Sequence, residues 1–456
     1  MTTNRRDFLR KGAATGGGLF FAGNLTGLFA NAPAIASCTP RQRGVGPLIA
    51  DPAGLLDLPE DFSYSIVSQV GDPLPSGAAL ADRFDGTAAY SSGRTTVLVR
   101  NHEQDTGAAF PTVAGPELVY DPVCGGGTST VEIDRRDGKV GEYISLAGTN
   151  NNCAGGSTPW GTWLTCEETE DRAGDADGHT KDHGFVFEVH PIDQALNVNP
   201  TPLTALGRYA HEAAIVDPRT GIVYLTEDAS RPNGLVYRCL PNRPRGRYGS
   251  LREGGVLEAM RCTDGGTFVP DLSAYSAPGT TLTVGWVAVP DPMAMTTPTR
   301  AQLPEVTRSR KFEGAWWGDR EGYIVASYAR NSDGSVGQHD GQVWRFDPRR
   351  NTLTLDVHFG LNPDYASDNP DGPDNITVSP WGGLILCEDG EGTQLLQAVS
   401  RDGTTVPFAR NARDDSEFAG ACFGQDRDVL YANLQAPGVT FAIGGPFRRL
   451  RRSDDD

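Results

Sequence analysis

One unit recurs six times along this chain: a short apolar strand, a tight turn, a second short apolar strand and a polar tip. Its clearest copy runs from Asn151 to Glu168. There Asn-Asn-Cys-Ala-Gly-Gly-Ser leads into the turn Thr158-Pro159-Trp160-Gly161, and Thr162-Trp163-Leu164-Thr165 leads out to Cys166-Glu167-Glu168. Proline presets φ in that turn, and glycine supplies a conformation that branched residues resist. The other copies begin at Phe84-Asp85-Gly86, His211-Glu212, Phe312-Glu313-Gly314, Asp374-Asn375 and Glu417-Phe418. Four of them, with the clearest copy, end at Asn101-His102-Glu103, Glu227-Asp228, Cys387-Glu388-Asp389 and Asn433-Leu434-Gln435. Further strand-like runs lie between them, such as Gln342-Val343-Trp344-Arg345-Phe346. Four strands per unit over six units predict an all-β fold, a six-bladed β-propeller with inter-blade insertions, although seven blades stay open.

Composition agrees with many short strands: Gly numbers 56 and Pro 32 in 456 residues, and aromatics are 8%. A single β-propeller domain is expected over residues 61–450, after an extended lead-in at 37–60 and before an acidic tail at 451–456. The largest insertion, residues 241–310, is expected to form loops or a short helix over one face. No stretch of linker composition supports two stacked β domains instead. The eight cysteines contain no Cys-x-x-Cys pair, which excludes a zinc ribbon or redox motif. Cys239 and Cys262 could pair across the insertion, and Cys124, Cys153 and Cys422 read as buried structural thiols.

Residues 1–36 read as a twin-arginine signal peptide. Arg5-Arg6-Asp7-Phe8-Leu9 precedes a Gly-rich, mildly apolar run and Ala34-Ile35-Ala36. The partner implied is the twin-arginine export machinery, and the destination periplasmic or extracellular. Ile35-Ala36-Ser37-Cys38 also fits a lipoprotein box, so lipid attachment at Cys38 stands as an alternative. No stable membrane span is expected. Cleavage would remove four basic residues and one acidic one, making the mature chain more negative than the whole chain's −18. So acidic a protein is not expected to bind nucleic acid.

The polar tips fall at one end of the strands, so a propeller gathers them around one mouth of its channel. They include Glu103, Asn152, Cys166, Glu167, Glu168, Glu212, Glu227, Asp228, Glu313, Asp374, Glu388, Asp389 and Glu417. Crowded carboxylates need cations. Oxygen donors suit calcium, and a thiolate among carboxylates suits a softer or redox-capable metal. With only His102 and His211 near the tips, a His-based zinc site is not expected there. Lys311, two residues before Glu313, is the cation expected beside the ring.

These blocks, together with Gly372-Pro373-Asp374-Asn375 and Phe418-Ala419-Gly420-Ala421-Cys422-Phe423, resemble the PhoX family of secreted alkaline phosphatases. The resemblance extends over nearly the whole mature chain and implies an iron–calcium cluster in the mouth of a six-bladed propeller. By that resemblance Cys166 would bridge irons, and Glu212 and Glu313 would be iron or calcium ligands. Glu103, Glu168, Asp374, Glu388 and Asp389 would hold calcium. Asn152 and Lys311 would bind phosphate oxygens. The larger phosphatases carry Arg-Pro-Glu where this chain has Lys311-Phe312-Glu313, and the chain is shorter, as in a compact branch of the family. Lysine keeps the charge but not the bidentate grip.

The activity implied is metal-dependent hydrolysis of phosphate monoesters, with diesters as a further class. Two other readings use the same scaffold: a calcium-stabilised propeller that binds a partner without catalysis, and a calcium-dependent lactonase or esterase.

Overall fold

The computed structural model describes residues 45–450 apart from 245 and 426. The signal segment 1–36, Cys38 and the tail 451–456 lie outside the described residues. Among the described residues the fold is all-β, with strands joined by turns and short 3-10 segments. No helix among them is long and apolar enough to cross a membrane.

The six recurring hairpins form the inner half of six blades. Blade one is an antiparallel meander of Phe84–Ser92, Thr95–His102, Gly126–Asp134 and Gly138–Thr149. Blade two has three strands, Asn152–Ser157, Trp163–Glu167 and Val186–Val189. Blade three begins with His211–Val216, Val223–Glu227, Val236–Pro241 and Gly255–Asp264, and blade four comprises Phe312–Trp317, Gly322–Ala326, Gly341–Asp347 and Thr352–Phe359. Blade five is Pro373–Val378, Leu384–Glu388, Leu395–Val399 and Thr405–Asn411. Blade six is Phe418–Phe423, Val429–Leu434 and Val439–Gly444, completed by Ser63–Gln69 from the other end of the chain. That pairing closes the ring and covers an edge that would otherwise be open.

The first strands of successive blades pack side by side around the axis, and blade six returns to blade one. Glycine permits this approach. A Cβ on Gly156 would stand 1.9 Å from the Ala214 carbonyl oxygen of the next blade, and one on Gly420 2.3 Å from the Asp85 carbonyl. Apolar layers fill the wedges between blades. Leu164, Val186, Ala214, Leu225 and Tyr237 join blades two and three, while Ile385, Leu396, Phe408, Leu430 and Phe441 join five and six.

Two expectations change. Within the 37–60 lead-in, the described residues 45–60 are not merely extended: Leu56–Pro59 pairs with Thr405–Asn411, and Leu48–Ile49 pairs with it in turn, widening blade five. The 241–310 insertion is strand-rich. Thr281–Ala288 pairs with both Gly255–Asp264 and Thr352–Phe359, so blades three and four merge at their outer edges into one ten-stranded sheet. Alternating Thr281-Leu282-Thr283-Val284, with Leu282 and Val284 buried and Thr281 and Thr283 exposed, is a half-buried strand pattern. Cys239 and Cys262 are free thiols in separate apolar layers, so they do not pair.

Candidate metal centre in the channel mouth

Every first strand breaks register at its start. The irregularities lie between Phe84/Thr87, Asn152/Gly155, His211/Ala214, Phe312/Ala315, Pro373/Ile376 and Ala419/Cys422. A bulge re-aims the side chain it inserts. In blades one to five the first inserted residue is Asp85, Cys153, Glu212, Glu313 and Asp374. The fold thus repeats one device five times, delivering four carboxylates and one thiol to the same rim.

A second ring comes from the ends of the second strands, where side chains alternate. His102, Glu167, Glu227 and Glu388 turn back into their own blades. His102 contacts the Asp82 carbonyl and Ser129, Glu167 accepts from His183 and the Gly184 amide, Glu227 accepts from Tyr237 and Arg300, and Glu388 accepts from Gln397. The next residues, Glu103, Glu168, Asp228 and Asp389, face the mouth instead. Gln435 of blade six lies among them, donating to Glu103 and Asp85.

A third contribution precedes the first strands. Arg83, Asn151 and Lys311 occupy equivalent positions and all have left-handed backbone, with φ of 53°, 54° and 48°. Non-glycine residues adopt that region at a cost, and it commonly marks function. Lys311 Nζ sits 2.8 Å from Glu313 Oε1, and Asn151 donates to Glu168. Arg83 donates to Gln435. Blades one and four stand opposite each other in the ring, so the two cations enter from opposite sides.

Three overlapping groups have donor atoms within 4.8 Å of one another: Cys153, Glu168 and Glu212; Glu212, Glu313 and Asp374; and Asp374, Asp389 and Glu417. Burial and then repulsion from neighbouring carboxylates push Glu168, Glu212 and Asp374 up. For Glu212 the repelling neighbours are Glu313 and Asp374, for Glu168 they are Asp228 and Glu103, and Asp374 rises to about 7 by burial and the charge of Asp389. Burial, with Glu212 and Glu168 next to it, also raises the Cys153 thiol. Asp85 Oδ1 is buried without a hydrogen-bond partner. Burial would lower Lys311, but Glu313, Asp228, Asp389 and Asp374 hold it above its ordinary value. A donor set this rich in oxygen, with one thiol and an orphaned carboxylate oxygen, fits a cluster of cations.

The structure brings Glu103, Glu168, Glu212, Lys311, Glu313, Asp374 and Asp389 together at the mouth, but it places three predicted residues elsewhere. Both thiols are buried beside the apolar layer of Leu164, Val186 and Tyr209, but it is Cys153, not Cys166, whose sulfur is grouped with carboxylates. Asn152 uses its amide on Thr149 and Thr165, so it is not presented to the mouth; Asn151 is. Glu388 is turned toward Gln397 and the Asp371 amide, leaving Asp389 as the mouth residue of that pair. Sequence reading missed Asp85, Cys153, Asn151 and Arg83 as site residues. Stacking the starts of the first strands would have found them: Arg-Phe-Asp, Asn-Asn-Cys, and Lys-Phe-Glu are one repeated triplet.

Comparison with known proteins agrees with this architecture. The family described as alkaline phosphatase PhoX matches residues 43–141 and 139–438. Among solved structures, Pseudomonas fluorescens PhoX in complex with vanadate aligns with a TM-score of 0.68 at 17% identity, over 90% of this chain and 98% of that one. This likeness confirms the propeller. The gluconolactonase XC5397 from Xanthomonas campestris aligns with a TM-score of 0.41 at 14% identity, over 89% of this chain and 99% of that one. No curated protein matches the chain significantly.

Proposed function

The chain belongs to the alkaline phosphatase PhoX family and is a phosphoric ester hydrolase, and from that premise we propose that it hydrolyses phosphate monoesters, with diesters as a further class, at the acidic channel mouth. The observation that carries this reading is the convergence of three metal-ligand groups on one rim with Lys311 beside them. The relative from Pseudomonas fluorescens is known in complex with vanadate, a transition state analogue, which supports a phosphoryl group as the occupant of the corresponding mouth.

Cys153, Glu168 and Glu212 would hold the softer metal, for which iron is the proposal. Glu313, Asp374, Asp389 and Glu417 would hold calcium through oxygen alone. When bound, these cations supply Lewis-acid neutralisation of the phosphoryl oxygens and the leaving alkoxide. The chain's own cations do the rest. Lys311 and Arg83 approach from opposite sides and orient the substrate's equatorial oxygens. Glu313 holds the Lys311 ammonium in place at 2.8 Å. Neither nearby histidine is presented as a base. Burial lowers His102 and His211 to about 3, and their rings bond backbone and Ser129 behind the rim. Family membership sets aside the non-catalytic reading. We also propose export by the twin-arginine route, supported by Arg5-Arg6 and the run that follows.

The test is turnover of p-nitrophenyl phosphate before and after calcium chelation, with metal analysis of the same sample. Loss on chelation and return with added calcium is the expected outcome. Full activity in protein stripped of calcium and iron would overturn the proposal.

A further inference from the structure

A second cluster of metal-ligating side chains lies between the connections that follow the second strands of blades one and two, and it shares no residue with the rim groups. Cys124 comes from the loop leading into the third strand of blade one. His179 and His183 come from the long connection between the second and third strands of blade two. The Cys124 thiol and one nitrogen of each imidazole lie within 4.8 Å of one another, and all three residues are buried.

The orientation of the rings is what distinguishes this cluster from packed core. His183 Nδ1 sits 2.7 Å from Glu167 Oε1, and His179 Nδ1 sits 2.7 Å from Asp175 Oδ2. A carboxylate at Nδ1 accepts that nitrogen's proton, which leaves Nε2 as the nitrogen where a metal would take the place of a proton. A carboxylate behind each imidazole is the arrangement that orients histidine toward a metal. His183 Nε2 then points at Cys124 Sγ, 3.4 Å away, and at Asp121 Oδ2, also 3.4 Å away. His179 Nε2 lies 3.2 Å from the Asn150 side-chain amide, a contact that a metal bound at this nitrogen would replace. A nitrogen–sulfur separation of 3.4 Å is what two ligands of one tetrahedral ion show when the bonds are about 2.0 and 2.3 Å.

We infer that Cys124, His179 and His183 form a separate metal centre of the zinc class, with Asp121 or water completing it. One thiolate with two imidazoles is a borderline-soft donor set, unlike the oxygen-rich rim. Binding releases the Cys124 proton to solvent and changes no oxidation state. Its role is to hold the mouth. Glu167 accepts from His183 on one oxygen and from the Gly184 and Phe185 amides on the other. The next residue, Glu168, belongs to the rim. The ion would therefore clamp the blade-two connection to the blade-one loop and hold Glu168 at its place.

Zinc content is measured on purified full-length protein, on Cys124→Ala and on Cys153→Ala, with circular dichroism on each. The expected result is about one zinc per chain in wild type and Cys153→Ala, lost in Cys124→Ala, while rim calcium persists. Zinc absorption spectroscopy on folded Cys153→Ala keeps the test independent of whether Cys124→Ala folds. One sulfur and two imidazole nitrogens in the zinc shell support the centre. No zinc in wild type, zinc retained in Cys124→Ala, or a shell without sulfur would overturn it. The rim could fail as a phosphatase site without changing any of these outcomes.

Discussion

Lys311 concentrates several demands in one residue: left-handed backbone, a largely buried ammonium and an ion pair with Glu313. Lys311→Met keeps the length and removes the charge. It is expected to lower kcat/KM for p-nitrophenyl phosphate by about a hundredfold, the scale of losing one pre-organised donor to a developing charge, and steady-state kinetics checks it. Which residues carry the chemistry was only partly legible in the sequence. Acidic tips at equivalent places were visible because a hairpin returns its ends to one rim. The choice between Cys153 and Cys166 was not, because strand alternation alone favours Cys166 at the hairpin end. A two-residue bulge changes which side chain faces the channel, and bulges leave little trace in a single hairpin. Asn152 was misplaced by one residue for the same reason, the left-handed turn at Asn151. That Lys311 stands beside the ring was legible from its place two residues before Glu313, but the left-handed turn at Lys311 and the bulge at Glu313, not a shared strand face, bring the two together.

At the scale of elements, the hairpins were recoverable because apolar runs and Pro-Gly turns punctuate them. The outer bridge between blades three and four was not, because Thr281–Ala288 pairs with strands distant in sequence. What allows the first strands to surround a channel is the absence of side chains where they meet. Gly156→Ala would force a methyl to 1.9 Å from the Ala214 carbonyl. The expected cost is about 3 kcal/mol, read by urea unfolding. Gly161→Ala is the comparison. Its φ is 84°, with nothing within 4 Å of the added carbon, so only backbone strain of about 1–2 kcal/mol is expected.

The described residues form a ring closed by the pairing of Ser63–Gln69 with Val439–Gly444, with an acidic mouth that needs cations and a buried interior that resists protons. His339 is an example outside the mouth: burial, with His358 and Arg330 adding to it, lowers it from 6.5 to about 3. The folded state keeps this imidazole neutral while the unfolded chain takes up a proton below 6.5. Stability from this group is therefore complete above pH 6.5 and falls as pH drops toward 3, by about 1.4 kcal/mol per unit. His339→Gln is expected to flatten the acid limb of the stability profile by that slope, measured by denaturant unfolding from pH 7 to 4.

If Cys153, delivered by the blade-two bulge, is the thiol of the channel mouth, the cations it helps hold are the ones that turn over phosphate esters. Measuring iron content and p-nitrophenyl phosphate hydrolysis side by side in Cys153→Ser and Cys166→Ala tests it most directly. Cys153→Ser is expected to lose iron and at least a hundredfold in kcat, and Cys166→Ala to keep both at a stability cost of about 1–2 kcal/mol. Iron and turnover retained in Cys153→Ser, with both lost in folded Cys166→Ala, would contradict it.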